Sequence, residues 1–339
     1  MRWQLPALPR HANPDNQPPP LTPEQLLWGW NWDGWLVLGL VVMVGAYLWG
    51  VRRLAARGDA WPLTRTLAWC LGGAGTIAVA RLSAIGTYDT VLLSVHMVQH
   101  MLLTMIAPVL MAVGAPITLL LRNLPADPRR AVVRFLHSWF PKLLMFPPLA
   151  TALMIANPYL LYLTDIYEVT LRNELAHNWL HLHLMITGCL YFWPLLGTDP
   201  MPNRLQHPLR MVLIMITLPF HAFLGVTIMG SPTLIAEDWY LAFQRAWPPS
   251  PLADQEIAGG IMWATGDLTM AVIMGVFFHR WWADSRREAI REDRRLDREE
   301  RLAALAAAAE TTEPVETEPE YHADATTTRG RRPSDEDDR

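Results

Sequence analysis

Six of the eleven histidines, His96, His100, His177, His181, His183 and His221, fall inside or at the mouth of apolar segments long enough to cross a bilayer. An imidazole without a partner is costly in hydrocarbon, so ionisable side chains at that depth face the interior of a helix bundle and mark a pathway, a ligand or a cofactor. Four of the six form two pairs at i,i+4 spacing, His96/His100 and His177/His181, each pair on one helix face and about 6 Å apart along the axis. That spacing suits a metal ion or a haem. His183 is turned about 200° from His181 and shares no face with it.

Other polar and soft side chains accompany these pairs. Met97, Met101 and Met105 form an i,i+4 stripe beside His96 and His100. Thioether and imidazole together suit copper, Cu(I) above all, and discriminate against Mg, Ca and Mn; the same stripe reads equally as core filling. His221 follows Pro219 at the middle of its segment, where a proline frees a backbone carbonyl that an imidazole can satisfy without any metal. Asp267 stands mid-segment near Met262, Met270 and Met274, and a carboxylate at that depth needs a partner. The candidate metal ligands are therefore His96, His100, His177, His181, His221, Met97, Met101, His183 and Asp267, with His100, His221 and Asp267 expected at one depth. Carboxylates of the loop before the last segment, Glu237, Asp238, Asp254 and Glu256, read either as recruiters of a cation or as solvated loop residues. His11, His137, His207, His279 and His322 lie outside the apolar segments and receive no role.

The elements that must position these residues follow from composition. Over 339 residues the chain is 51% hydrophobic and 18% charged, and its apolar residues come in blocks of about twenty, the length that spans a bilayer core. Seven blocks stand out, roughly 35–51, 63–80, 91–112, 143–163, 178–196, 211–230 and 257–278. The expected fold is all-α: a polytopic membrane protein of seven transmembrane helices. Residues 91–121 would reach about 46 Å as one helix, too long for an upright span, so a kink at Pro108 and a break at Gly114-Ala115-Pro116 are expected. Arginines gather in alternate connections, with Arg52, Arg53 and Arg57, then Arg122, Arg129, Arg130 and Arg134, then Arg204 and Arg210. The positive-inside rule then places the N-terminus outside and the C-terminus in the cytoplasm.

Four regions result: an extracytoplasmic arm over 1–34, the membrane domain over 35–279, a charged cytoplasmic helix over 280–310 and an acidic tail over 311–339. The arm lacks the charged start and apolar core of a cleaved signal peptide. In the helix, Glu288/Arg291 and Glu292/Arg295 are spaced for weak surface pairs. The tail, with nine acidic residues against four arginines and little apolar surface, is expected to be disordered. Cys70 and Cys189 sit mid-segment as small buried hydrophobes, with no disulfide expected.

The string His96-x-x-Gln99-His100, Gly114-Ala115-Pro116, His177-x-x-x-His181, Trp193-Pro194-x-x-Gly197-x-Asp199-Pro200, Pro219-x-His221-x-x-x-Gly225 and Asp254-Gln255 with Gly259-Gly260-x-x-Trp263 resembles the multi-span cytochrome c oxidase assembly factor family, the CtaG type, over roughly 30–280. The resemblance implies a role in maturing haem-copper oxidases, with copper delivered to the oxidase catalytic subunit in the plasma (inner) membrane. An unrelated single-span copper protein with thiol ligands shares the family's name and is unlike this chain. Some relatives carry a fused copper-resistance-type domain, and with about 34 residues ahead of the first block none is expected here.

The expected function is thus a metal-handling assembly factor binding copper through intramembrane His and Met. Two other readings stay open: a haem protein with bis-His ligation, and a metal-free scaffold whose histidines satisfy one another. An enzyme is not expected, because no nucleophile elbow, phosphate-cradling glycine loop or Cys-x-x-Cys is present. Expected partners are the oxidase catalytic subunit, a copper chaperone on the outer side and the lipid bilayer, but no nucleic acid.

Overall fold

The computed structural model describes residues 11–202 and 205–311; it is 79% helix, with no strand among the described residues. The apolar blocks fold as α1 (Gly34–Ala55), α2 (63–82), α3 (Leu93–Asn123), α4 (Pro147–Tyr162), α5 (Glu174–Leu196), α6 (His207–Gly230) and α7 (Pro251–Thr311). Five of these, α1, α3, α5, α6 and α7, contain a stretch long and apolar enough to cross a membrane. α4 has only 16 residues, and α2 carries Arg65 and Arg81 near its two ends, which keeps these two outside that group.

Packing divides the chain into two units, Met1–Trp282 and Ala283–Arg339. In the second, the described residues form an exposed charged helix in which Arg295 pairs with Glu292 and Glu299. Beyond Thr311 the expected acidic tail lies outside the described residues, as do Arg204 and residues 1–10.

In the first unit α3 is the central element, packed against α2 on one side and α5 on the other. Pro108 has no N–H to return to the carbonyl of Thr104, and the preceding turn, Leu102–Ile106, is π-helical. α5 presses its backbone onto that point: a Cβ added at Gly188 would lie 2.0 Å from Thr104 O. The helix breaks at Ala115, which takes the left-handed conformation at φ 49°, and resumes at Pro116. On the other flank α6 and α7 meet backbone to backbone, since a Cβ at Gly259 would lie 2.5 Å from Gly225 O.

Two distant carboxylates cap the two N-terminal starts of this broken helix. Asp254 on α7 accepts hydrogen bonds from Leu93 N at 2.6 Å and from the Ser94 hydroxyl, at the start of α3. Asp199 does the same for the restart after Ala115, accepting from Thr118 N at 2.7 Å, Thr118 Oγ1 at 2.6 Å and Trp193 Nε1 at 2.9 Å. Bonds to a charged acceptor contribute about 1.5–3 kcal/mol each, and a carboxylate at a helix N-terminus also meets the positive end of the dipole. Gln99 donates to Ala80 O at 2.9 Å, tying α3 to the end of α2. Asp199, Asp254 and Gln99 are thus the fasteners of α3.

Candidate metal centre

Leu92 is extended at φ −128° and ψ 119°, so α3 begins at Leu93 and His96 falls in its first turn. α5 begins at Glu174 behind Asn173, whose side chain caps Ala176 N, and His177 likewise falls in the first turn. The two helix starts bring His96, His177 and His181 together, each fully buried and each offering a ring nitrogen within 4.8 Å of the others. Among the described residues this is the one such group of three or more His, Cys, Asp or Glu. Two of the rings keep a buried nitrogen without a hydrogen-bond partner, Nδ1 of His96 and Nδ1 of His177.

The surroundings fix most of the proton positions. His177 Nε2 lies 3.0 Å from Asp89 Oδ2; a carboxylate only accepts, so the ring donates there and keeps a lone pair on Nδ1. His181 Nε2 stands 3.3 Å from the same oxygen. Its Nδ1 meets the Arg81 guanidinium, which only donates and also reaches Asn178. Burial acts to raise the Asp89 carboxyl, but the charge and hydrogen bonds of His177 and His181 outweigh it and hold the group well below the usual carboxylate range.

Tyr162 at the end of α4 connects the group to the next turn of α3. Its hydroxyl lies 3.1 Å from His96 Nε2 and 3.1 Å from His100 Nδ1. One phenolic proton serves both contacts, so one imidazole donates and the other accepts. If His96 keeps its lone pair on Nδ1, it donates to Tyr162, and Tyr162 donates to His100. The state of His96 thereby sets the tautomer of His100.

The other candidate ligands are distributed around this group. His100 is buried but one turn deeper, with Tyr162 between it and His96. His221 is buried with Nε2 unpartnered and its ring packed on Gly266, where a Cβ would lie 2.2 Å from Cδ2. The neighbouring Asp267 keeps a buried, unpartnered Oδ1. His183 is exposed. Met97 and Met101 lie in the apolar core that also holds Tyr162 and Tyr167, and Cys70 and Cys189 are free thiols. The two intrahelical pairs therefore do not face each other as two equal pairs: His96 joins His177 and His181, and His100 lies one turn further along α3, joined to His96 through the Tyr162 hydroxyl.

Residues given no role by the sequence complete the site. His11, on the N-terminal arm, has its ring tilted 59° to that of His177 at 5.6 Å between centroids and lies 3.1 Å from Leu171 O through Nε2. Burial lowers the His11 imidazole from its ordinary value, and His177 lowers it further. A carboxylate seven residues ahead of His96 was a legible signal for Asp89; nothing local marks His11 or Tyr162.

The model of the cytochrome c oxidase caa3 assembly factor family matches residues 45–284. Uncharacterized proteins of Mycobacterium bovis and Mycobacterium tuberculosis are each 33% identical to this chain over 287 residues, covering 83% of it, and one of Mycobacterium leprae is 32% identical over 275 residues, covering 79%. The chain spans under half the length of these relatives, 43% of the first two and 42% of the third. No solved structure matches.

Proposed function

We propose, from the premise that this chain belongs to the cytochrome c oxidase caa3 assembly factor family, that it binds copper at His96, His177 and His181 and passes it to the oxidase catalytic subunit. The observation that carries this reading is the convergence of three buried imidazoles with ring nitrogens within 4.8 Å of one another, two of them, His96 and His177, with an unpartnered Nδ1. A buried polar atom left unpaired costs about 1–3 kcal/mol, and a metal ion relieves those of His96 and His177 together.

The donor set fits the cargo. Neutral imidazoles accept copper in either oxidation state. Asp89 is the outer-shell carboxylate that orients His177 and raises its basicity, the arrangement common behind metal-ligating histidines. His181 enters the set by turning its ring away from Arg81, which frees a lone pair for the ion. Tyr162 links His96 to His100 one turn further along α3, and copper moves onward by that step. The haem alternative has less support, because the cavity bordering His177 is about 20 Å³, room for an ion or a water but not for a macrocycle.

The arginine asymmetry supports a multi-pass protein of the plasma membrane with seven spans, N-terminus outside, so that both helix starts carrying the three histidines face the outer side. A copper chaperone on that side is the donor in this reading. The test is elemental analysis of the purified protein after copper loading, beside a His96→Ala, His177→Ala double variant. One copper retained by the wild type and lost in the variant is expected; equal copper in both overturns the assignment, and a strong haem absorption band in the purified protein reverses it in favour of haem.

A further inference from the structure

The three-histidine group does not meet solvent directly. Between it and the outside lies the small cavity of about 20 Å³ lined by His11, Asp33, Arg81, Asp89, Glu174 and His177, among others. Its wall brings together three carboxylates, two imidazoles and one guanidinium. The Arg81 guanidinium is directed at His181 and Asn178 rather than left free, so acceptors dominate the rest of the wall. His177 belongs to both spaces, lining the cavity while its ring centroid lies 4.4 Å from that of His181.

His11 is held at this position by the arm around it. Thr90 Oγ1 donates to Ala12 O at 2.9 Å, Trp239 Nε1 donates to Thr90 O at 2.8 Å, and Tyr88 OH donates to Pro19 O at 2.7 Å. The carbonyl of Leu171 only accepts, so the His11 ring carries its proton on Nε2 and keeps a lone pair on Nδ1. An imidazole of fixed tautomer, beside a second imidazole with an unpartnered Nδ1 and on a wall that holds three carboxylates, is a donor set for a borderline cation such as copper.

We propose that this cavity is a receiving station for a copper ion: His11 Nδ1, with Glu174 and Asp33 at the rim, takes the ion from the outer side and hands it to His177. The inference rests on the reading of His96, His177 and His181 as the copper site, and adds to it a fourth histidine that acts on the rate of loading rather than on the final affinity. Transfer is a ligand exchange without oxidation or reduction, in which His177 replaces His11 on the ion. The carboxylates raise the local cation concentration without holding it tightly.

The experiment follows loading of full-length protein in right-side-out vesicles from an external coloured copper(I) chelate, timed by the loss of chelate colour and followed by an equilibrium competition. His11→Ala should slow loading roughly 10-fold while leaving equilibrium affinity within a factor of two or three. Glu174→Gln should slow it less, and more at low salt than at high. Loading of His11→Ala at the wild-type rate overturns the proposal. So does loss of equilibrium copper as complete as in His177→Ala, which would make His11 a ligand of the final site. A wild-type protein that takes up no copper overturns the underlying copper reading, a result distinct from either of these.

Discussion

His177 donates from Nε2 to Asp89 Oδ2 at 3.0 Å across 88 residues of sequence, and this bond leaves the lone pair on Nδ1. Asp89 lies in the short connector before α3, and His177 in the first turn of α5, so one hydrogen bond aligns the two helix starts that carry the histidine group. The same oxygen lies 3.3 Å from His181. A single buried carboxylate thereby orients both imidazoles of α5.

Replacing Asp89 with asparagine keeps the shape and removes the charge. Copper affinity of Asp89→Asn should fall 10–100-fold in chelator competition, the usual effect of losing an outer-shell partner; an unchanged affinity would remove Asp89 from the site. The carboxyl is depressed in the folded protein, so its contribution to stability is full above about pH 4 and is lost as pH falls through the lower folded value. Acid unfolding in detergent should therefore lose part of its pH dependence in Asp89→Asn.

The histidines should separate by position. His96→Ala, His177→Ala and His181→Ala are expected each to lose bound copper on elemental analysis while the protein still inserts. Exposed His183 should tolerate alanine with no change. His100→Ala should cost less than His96→Ala, because Tyr162 stands between His100 and the group. Copper lost in His183→Ala but kept in His177→Ala would require a different site.

Tyr162→Phe removes one hydroxyl and leaves the ring. It should keep copper on His96, His177 and His181 within about 10-fold in affinity yet lower copper transfer to the oxidase, read as oxidase copper content at normal protein level. Normal oxidase copper content in that variant would show that the contact between His96 and His100 has no part in transfer.

The contact of α5 with α3 is a steric test independent of metal. A side chain at Gly188 collides with Thr104 O, so Gly188→Val should lower thermal stability in detergent by about 1–3 kcal/mol or more, or prevent accumulation. Gly34→Val, at a glycine with open space around it, is the control and should change little.

Topology has its own readout. Reporter fusions at Arg130 should report cytoplasm, and fusions at Glu168 and Ser250 the outer side, from the arginine asymmetry. A cytoplasmic signal at Ser250 would break the seven-span arrangement and move His11 and Asp89 to the wrong face for a donor outside.

By itself the sequence determined the helical class, the apolar helices, the break at Gly114-Ala115-Pro116 and the residue types of the site, because burial in an apolar environment and proline geometry act over a few neighbouring residues. The shared face of His177 and His181 was legible for the same reason: i,i+4 spacing is local. Which residues meet across helices was decided by tertiary structure. His96 and His100 share a helix face, and the packing of the first turn of α5 beside the first turn of α3 places His96 in the group and leaves His100 one turn deeper, bonded to Tyr162. Asp89 became the orienting carboxylate because α3 starts at Leu93, a boundary fixed by Asp254 from the far end of the chain. His11 entered the site through contacts of its arm with Thr90 and Leu171, 78 and 160 residues away, for which local sequence carries no signal. Long-range packing selects among side chains that local chemistry leaves equivalent.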